Sequence, residues 1–116
     1  MDPAILQAAE AFSGHDFEAA FELLADDVHW DNIGAEQLSG KPAVIEACRA
    51  SADYLTTVTT TFLRSRTIDG GTHVVIDTLA EYFEPDGDST TVGSCDIYAV
   101  GDGRISTITS YNVEVG

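Results

Sequence analysis

The chain has 116 residues and carries 20 acidic side chains against 5 basic ones, a formal net charge of −15. That length predicts one domain, residues 1–116, and an apolar fraction of 44% indicates a folded globule rather than a disordered chain. The charge argues against nucleic acid and anionic membrane surfaces as partners, because both would repel the protein.

The N-terminus shows neither the basic region nor the apolar run of a signal peptide, and no segment reaches transmembrane length. In such a chain, Cys48 and Cys95 are expected to be free thiols in a reducing cytoplasm, where they act as small apolar fillers. The acids are scattered, and no His/Cys or calcium-loop motif occurs. We therefore expect neither a metal nor an organic cofactor.

Two helices are predicted at the start of the chain. The first has Asp2 as its N-cap and Pro3 at the first helical position, and it ends at Gly14. The second is predicted over residues 16–27, where phenylalanine and leucine recur at helical spacing. Both patterns place the apolar side chains on one face, as expected of helices that cover a core.

A short strand and a third helix follow. Residues 28–33 read as the strand, which stops at a glycine. The third helix is predicted within residues 38–55, with a cap at Ser39 or Gly40 and Pro42 in its first turn. The order helix, helix, strand, helix completes the first half of the chain.

The second half is typical of strands, because it is rich in threonine and other β-branched residues. Turns that contain glycine separate four predicted strands, at residues 56–68, 72–83, 89–100 and 104–115. Helices first and antiparallel strands later predict the α+β class. A sheet that curls over the helices would leave a concave mouth, a common place for a small-molecule site.

This order resembles the nuclear transport factor 2-like superfamily, which includes SnoaL-like polyketide cyclases and ketosteroid isomerase. The resemblance rests on residues 15–30, 31–48 and 95–115 and covers nearly the whole chain. It implies a cystatin-like roll: a cone-shaped, mixed and mostly antiparallel sheet wrapped around three N-terminal helices. It also implies a homodimer paired through the outer face of the sheet. The superfamily hosts many functions, so the resemblance alone does not identify one.

The resemblance to ketosteroid isomerase implies two catalytic aspartates. Asp31 matches the general base of that enzyme, and Asp96 matches its protonated aspartate, which donates a hydrogen bond to the oxyanion. The sequence departs from the isomerase at its three tyrosines, which correspond to Ala8, Leu24 and Cys48. One of the two oxyanion donors is therefore missing.

Strand alternation places His29 and Asp31 on one face of the first strand and Trp30 on the other. If Asp31 faces the cavity, His29 does too, and it could hold Asp31 ionised or take the proton itself. The alternative is that His29 and Asp31 form a solvated strand edge while Trp30 packs in the core.

Two further aspartates interrupt apolar strands. Asp96 shares a face with Ser94 and Tyr98, and a buried carboxyl there would have to be paired or protonated. The alternative is that this face meets solvent. Asp77, on the neighbouring strand, shares its face with other polar residues, so a solvated or interface position is favoured for it.

The last strand supplies further candidate ligand contacts. Ile108, Ser110 and Asn112 share one face, which the resemblance implies is the pocket face. With Trp30 and Tyr98 they form the predicted ligand-binding set. Limonene epoxide hydrolase, which has the same fold, uses an Asp-Arg-Asp set with an Arg-Asp pair in this strand, and that pair is absent here.

Two functions are therefore predicted from the sequence. The first is a cofactor-independent isomerase or cyclase acting on a small, apolar, carbonyl-bearing metabolite, so that Asp31→Asn abolishes turnover. The second is a binding module or dimeric scaffold without catalysis, which the missing tyrosines favour. A deep apolar cavity with two buried carboxyls would indicate the enzyme, and a filled or shallow one the scaffold.

Overall fold

The computed structural model describes all 116 residues. It contains two α-helices, one short 3₁₀ helix and six β-strands. Their bounds are α1 Pro3–Ser13, the 3₁₀ helix Phe17–Leu23, β1 Leu24–Asn32, β2 Gln37–Ser39, α2 Lys41–Leu55, β3 Thr59–Asp69, β4 His73–Phe83, β5 Ser89–Gly101 and β6 Arg104–Glu114. Neither α-helix is long and apolar enough to cross a membrane.

The six strands form one sheet in the order β2-β1-β6-β5-β4-β3. The pair β1 and β6 is parallel, and every other pair is antiparallel. The predicted α+β fold, with a curled, mostly antiparallel sheet against helices, is confirmed.

Helix α1 begins where the sequence predicts. The Asp2 carboxylate accepts a hydrogen bond from the backbone N–H of Ala4 at 2.8 Å, and Pro3 occupies the first turn. Its buried side chains are spaced three and four residues apart, which is the spacing of one helical face. These side chains pack in the hydrophobic core beneath the sheet: Ile5, Ala8, Ala9 and Phe12.

The predicted second α-helix, residues 16–27, is wrong in type and length. Residues 17–23 form a 3₁₀ helix, and the chain is already in β1 from Leu24. Leu24 pairs with Ile105 of β6, so hydrogen bonding within the sheet overrides the helical pattern of the segment. The apolar residues of the segment still face the core, because the 3₁₀ helix buries Phe17 and Phe21 there.

Strand β2 is not predicted from the sequence. It has three residues, 37–39, and pairs with β1 at the edge of the sheet. A segment this short carries too few residues to show alternation.

The hydrophobic core lies between the helices and the inner face of the sheet. Cys48 is buried there, in agreement with the predicted apolar filler, whereas Cys95 is only partly buried. Burial raises the pKa of the Cys48 thiol to about 12, so this sulfur remains an unreactive thiol.

The outer face of the sheet carries Asp77, as favoured from the sequence. Its carboxylate pairs with the guanidinium groups of Arg64 and Arg66, which lie on the neighbouring edge strand β3. The hydrogen bond from Arg66 lowers the pKa of Asp77. Exposed apolar side chains share this face, among them Tyr111 and Val113. Pairing of two copies through this face stays a prediction.

Candidate active site

A cavity of about 940 Å³ opens between the helices and the inner face of the sheet. Half of its lining residues are hydrophobic and the others are polar or acidic. Cavities of this size and mixed lining accommodate small molecules that have both an apolar body and a polar group.

Asp96 lies on the inner face of β5, within the cavity wall. One carboxylate oxygen accepts a hydrogen bond from Ser13 Oγ of α1 at 2.7 Å, and the other accepts one from Ser110 Oγ of β6 at 2.6 Å. The carboxylate is thus held from two elements that are distant in sequence. Both of its oxygens are arranged as hydrogen-bond acceptors.

Each serine is in turn contacted by a second polar group. The Trp30 indole N–H donates to Ser110 Oγ at 2.9 Å, which leaves the Ser110 hydroxyl proton free for Asp96. Tyr98 Oη lies 2.6 Å from Ser13 Oγ. When Asp96 is ionised, Ser13 donates to it, so Tyr98 donates to Ser13. Two short chains of donors therefore converge on one carboxylate.

Burial raises the pKa of the Asp96 carboxyl above its ordinary value. The hydrogen bonds from Ser110 and Ser13 and the nearby His15 act in the opposite direction but do not cancel this effect. An aspartate in this environment is a stronger base than an exposed one, while the serines keep a carboxylate acceptable inside the protein. Groups with such shifts concentrate at functional sites.

His15 is a second titratable group in the cavity, and sequence reasoning missed it. It occupies the turn between α1 and the 3₁₀ helix with a left-handed backbone, φ 71°, which is uncommon for a residue other than glycine. Its Nε2 lies 2.8 Å from Tyr82 Oη of β4. Burial lowers the pKa of His15, and Asp96 partly opposes that shift.

The side chains around His15 are aromatic. Its ring lies 5.3 to 6.0 Å from the rings of Phe17, Phe62 and Tyr82. Nothing in the sequence around residue 15 signals this arrangement, since Tyr82 is 67 residues away. Burial also raises the pKa of the Tyr82 phenol, so it stays protonated and can donate a hydrogen bond at neutral pH.

The predicted orientation of Asp31 and His29 is wrong. The alternation along β1 holds, but Trp30 and Asn32 are the residues that line the cavity. His29 lies on the other face, where its Nδ1 is 3.0 Å from Ser39 Oγ of β2. The apolar Trp30 and Val28 occupy the face that meets the core, so Asp31 is directed outward with His29.

The remaining predicted contacts divide into two groups. Ser110 and Asn112 line the cavity, and Asn112 accepts a hydrogen bond from Ser94 Oγ at 2.7 Å. Ile108 and Tyr98 do not line it, because both are completely buried in the core behind the wall. Tyr98 reaches the site only through Ser13. The prediction that these two residues touch a ligand directly is therefore wrong.

Asparagine at position 96 is expected to change how stability depends on pH. Because the folded-state pKa of Asp96 is raised, its contribution to stability is complete below the ordinary value of 3.8 and is lost as pH rises through the folded value. As pH rises through the folded-state pKa of Asp96, wild type loses this contribution and Asp96→Asn does not. The variant should therefore become more stable relative to wild type, as measured by urea unfolding at a series of pH values.

Asp77→Asn is the matched control for this pH experiment, and it should behave in the opposite way. The pKa of Asp77 is lowered, so its contribution is present at higher pH and is lost as pH falls. If the free energy of unfolding changed with pH in the same way in wild type and Asp96→Asn, the claim that burial disfavours the ionised Asp96 carboxylate would be refuted.

Comparisons with known proteins identify the relatives of this chain. The family model described as the SnoaL-like domain matches residues 5–108. An NTF2-like protein of unknown function from Cytophaga hutchinsonii is 30% identical, with a TM-score of 0.86 over 97% of this chain and 99% of that one. A search of curated proteins finds no match.

Two more distant structures share the fold. A provisionally named polyketide cyclase from Xanthomonas campestris is 21% identical, with a TM-score of 0.72 over 93% of this chain and 86% of that one. An LEH-like epoxide hydrolase from M. tuberculosis is 20% identical, with a TM-score of 0.69 over 95% of this chain and 83% of that one. At these identities the similarity extends to the fold alone.

Proposed function

This chain belongs to the SnoaL-like domain family, and from that premise we propose that its cavity binds a small, largely apolar carbonyl compound and moves a proton on it, with Asp96 as the general base. The proposal is carried by one observation: a largely buried carboxylate in the cavity wall has a raised pKa and both oxygens held by serine hydroxyls. The class of reaction is a cofactor-independent isomerisation or cyclisation.

The role of Asp96 here differs from the oxyanion donor that the resemblance implies. A donor must carry a proton on one oxygen, whereas the two serines direct their own protons at both oxygens. This arrangement suits an ionised carboxylate whose basicity is increased by burial. Asp96 is therefore assigned as the base that the sequence reading placed at Asp31.

The His15–Tyr82 pair supplies the hydrogen-bond donor for the substrate oxygen. Both side chains line the cavity and are joined at 2.8 Å, and the Tyr82 phenol stays protonated. Donors aimed at an oxygen where negative charge develops stabilise the transition state. With a proton on Nε2, His15 donates a hydrogen bond to Tyr82 Oη and orients the phenol, so the phenol proton remains free to hydrogen-bond the oxyanion.

The proposed step conserves atoms and charge. Asp96 takes a proton from a carbon next to the substrate carbonyl, and the bonding electrons move onto the carbonyl oxygen as an enolate. Tyr82 hydrogen-bonds that oxygen. Return of the proton to another carbon of a conjugated enolate completes an isomerisation, and attack of the enolate carbon on a second carbonyl, which takes up the proton, completes a cyclisation.

A second candidate is a binding module that performs no chemistry. It is favoured by the placement of Asp31 outside the cavity, which leaves Asp96 without the second catalytic aspartate of the isomerase. An epoxide hydrolase is disfavoured, because no arginine lines the cavity to complete an Asp-Arg-Asp set.

Deuterium exchange tests the proposed proton transfer without knowledge of the natural substrate. β-Tetralone has acidic C–H groups beside its carbonyl and a bicyclic apolar body that fits the cavity. In D₂O the protein should accelerate their exchange above the rate in matched buffer, as followed by proton NMR. The fluorescence of Trp30, which is the only tryptophan and lines the cavity, reports binding in the same sample.

Each outcome of the exchange experiment separates the two candidates. Binding with accelerated exchange supports the enzyme. Binding without exchange refutes proton abstraction at this site and leaves the binding module. A ligand that quenches Trp30 but exchanges equally fast with heat-unfolded protein would also refute the proposal, since the folded cavity would then contribute nothing.

A further inference from the structure

None of the five basic side chains of the protein lines the cavity. Arg64 and Arg66 pair with Asp77 on the outer face of the sheet, and Arg49 pairs with Glu18 at the surface. Arg104 donates to the backbone carbonyl of Glu22, and Lys41 lies in a separate surface groove with Asp26 and Glu46. A carboxylate or phosphate ligand would therefore find no permanent positive charge in the cavity.

The cavity itself carries only negative formal charge at neutral pH. Its lining includes Glu36, Glu84 and Asp96, and its one histidine, His15, has a lowered pKa that favours the neutral ring. The whole protein has a net charge of −15, which attracts cations and repels anions over long range. The charges that line the cavity and the net charge of the protein therefore both favour a cationic ligand over an anionic one.

Tyr54 and Glu84 form a defined polar group at the cavity wall. Tyr54, at the end of α2, is exposed, and its hydroxyl donates to Glu84 Oε1, just beyond β4, at 2.7 Å. Glu84 Oε2 has no side-chain partner. The hydrogen bond to Glu84 raises the pKa of the Tyr54 phenol, so the ring stays neutral. A free carboxylate oxygen beside a neutral aromatic ring is the usual chemistry of ammonium recognition.

We propose that the ligand of this cavity carries a protonated amine, which is held by the Glu84 carboxylate and the Tyr54 ring while the apolar body enters the cavity toward Asp96. This inference rests on the proposed function, because it assumes that the same cavity is the ligand site. It goes further in specifying the charge of the ligand. Anionic metabolites are excluded on the same grounds.

Three adamantane compounds of matched size test the charge preference. At neutral pH adamantylmethylamine is cationic, adamantylmethanol is neutral and adamantanecarboxylate is anionic. None of them absorbs or emits light at the wavelengths of tryptophan fluorescence. Fluorescence titration of the intact protein at low salt should rank the amine first and the carboxylate last. The advantage of the amine should shrink as salt is added, because salt screens the attraction.

Glu84→Gln tests whether the preference for the cationic compound comes from the Glu84 carboxylate. It should weaken binding of the amine about tenfold, the loss expected for one charged hydrogen bond, and should leave binding of the alcohol within about twofold. Glu81→Gln is the matched control, because it removes the same charge from β4, three residues before Glu84, at a position that does not line the cavity. It should alter neither affinity by more than about twofold.

The outcomes distinguish this inference from the proposed function. If the alcohol or the carboxylate binds as tightly as the amine, the inference is overturned while the ligand-binding cavity stands. An equal loss in Glu84→Gln and Glu81→Gln would assign the preference to net charge and would overturn the role of Glu84. If none of the three compounds binds although β-tetralone does, this inference fails and the proposed function stands; if β-tetralone does not bind either, both proposals fail.

Discussion

Asp96→Asn should slow the deuterium exchange of β-tetralone by about 10²–10⁴-fold, the usual contribution of a positioned general base. Asparagine has nearly the shape of aspartate but cannot accept a proton at neutral pH. One serine hydroxyl can still donate to its carbonyl oxygen, so the cavity should keep its shape. Trp30 quenching should therefore give a dissociation constant within a few-fold of wild type.

Asp31→Asn is the matched control for this experiment, and it also separates the structure from the family resemblance. The resemblance predicts that this substitution abolishes turnover. Asp31 lies outside the cavity, so the structure predicts exchange within about twofold of wild type. A strong loss in Asp31→Asn together with near-normal exchange in Asp96→Asn would refute the assignment of the base.

Phe12→Ala should lower the free energy of unfolding by about 3–5 kcal/mol, the largest stability loss that we expect from a single substitution. Phe12 is 2% exposed, and its ring makes edge-to-face contacts with Phe17, Trp30 and Tyr98 at centroid distances of 5.2, 5.0 and 6.0 Å. Removing the ring leaves a void between α1, the 3₁₀ helix and two strands. Urea unfolding measures the loss.

Phe83→Ala is the control for the removal of a phenylalanine ring. Phe83 is 39% exposed, at the end of β4, so its loss should cost no more than about 1 kcal/mol. Equal effects of the two substitutions would mean that the aromatic cluster around Phe12 is not the centre of the core. Since Trp30 also holds Ser110, Phe12→Ala should weaken ligand binding as well.

Most of the fold could be predicted from local signals. The cap at Asp2, the glycine turns and the threonine-rich strands each depend on a few neighbouring residues, and the structure places helices and strands close to them. The exceptions are the three-residue strand β2 and the segment 16–27. The helical spacing of that segment is real, but Leu24 pairs with Ile105, 81 residues later, and no local pattern reports that pairing.

The candidate site was predictable only in part. Asp96 stands out in the sequence as a lone acid within an apolar strand, and the cavity does include it. Ser13 and His15 carry no comparable signal, because their roles depend on Asp96 and Tyr82, 83 and 67 residues away. A hydroxyl or an imidazole acquires its function here only from what the folded chain brings next to it.

The sequence by itself determines the acidic charge, the positions of the two α-helices and the four long strands β3 to β6, and the two faces of each of those strands, because these follow from composition and from fixed local periodicities. Only the tertiary structure decides which face of β1 is turned inward. Alternation separates Trp30 from Asp31 equally well in either orientation. The choice follows from the free energy gained when Trp30 packs on Phe12 and donates to Ser110, while Asp31 remains in contact with water.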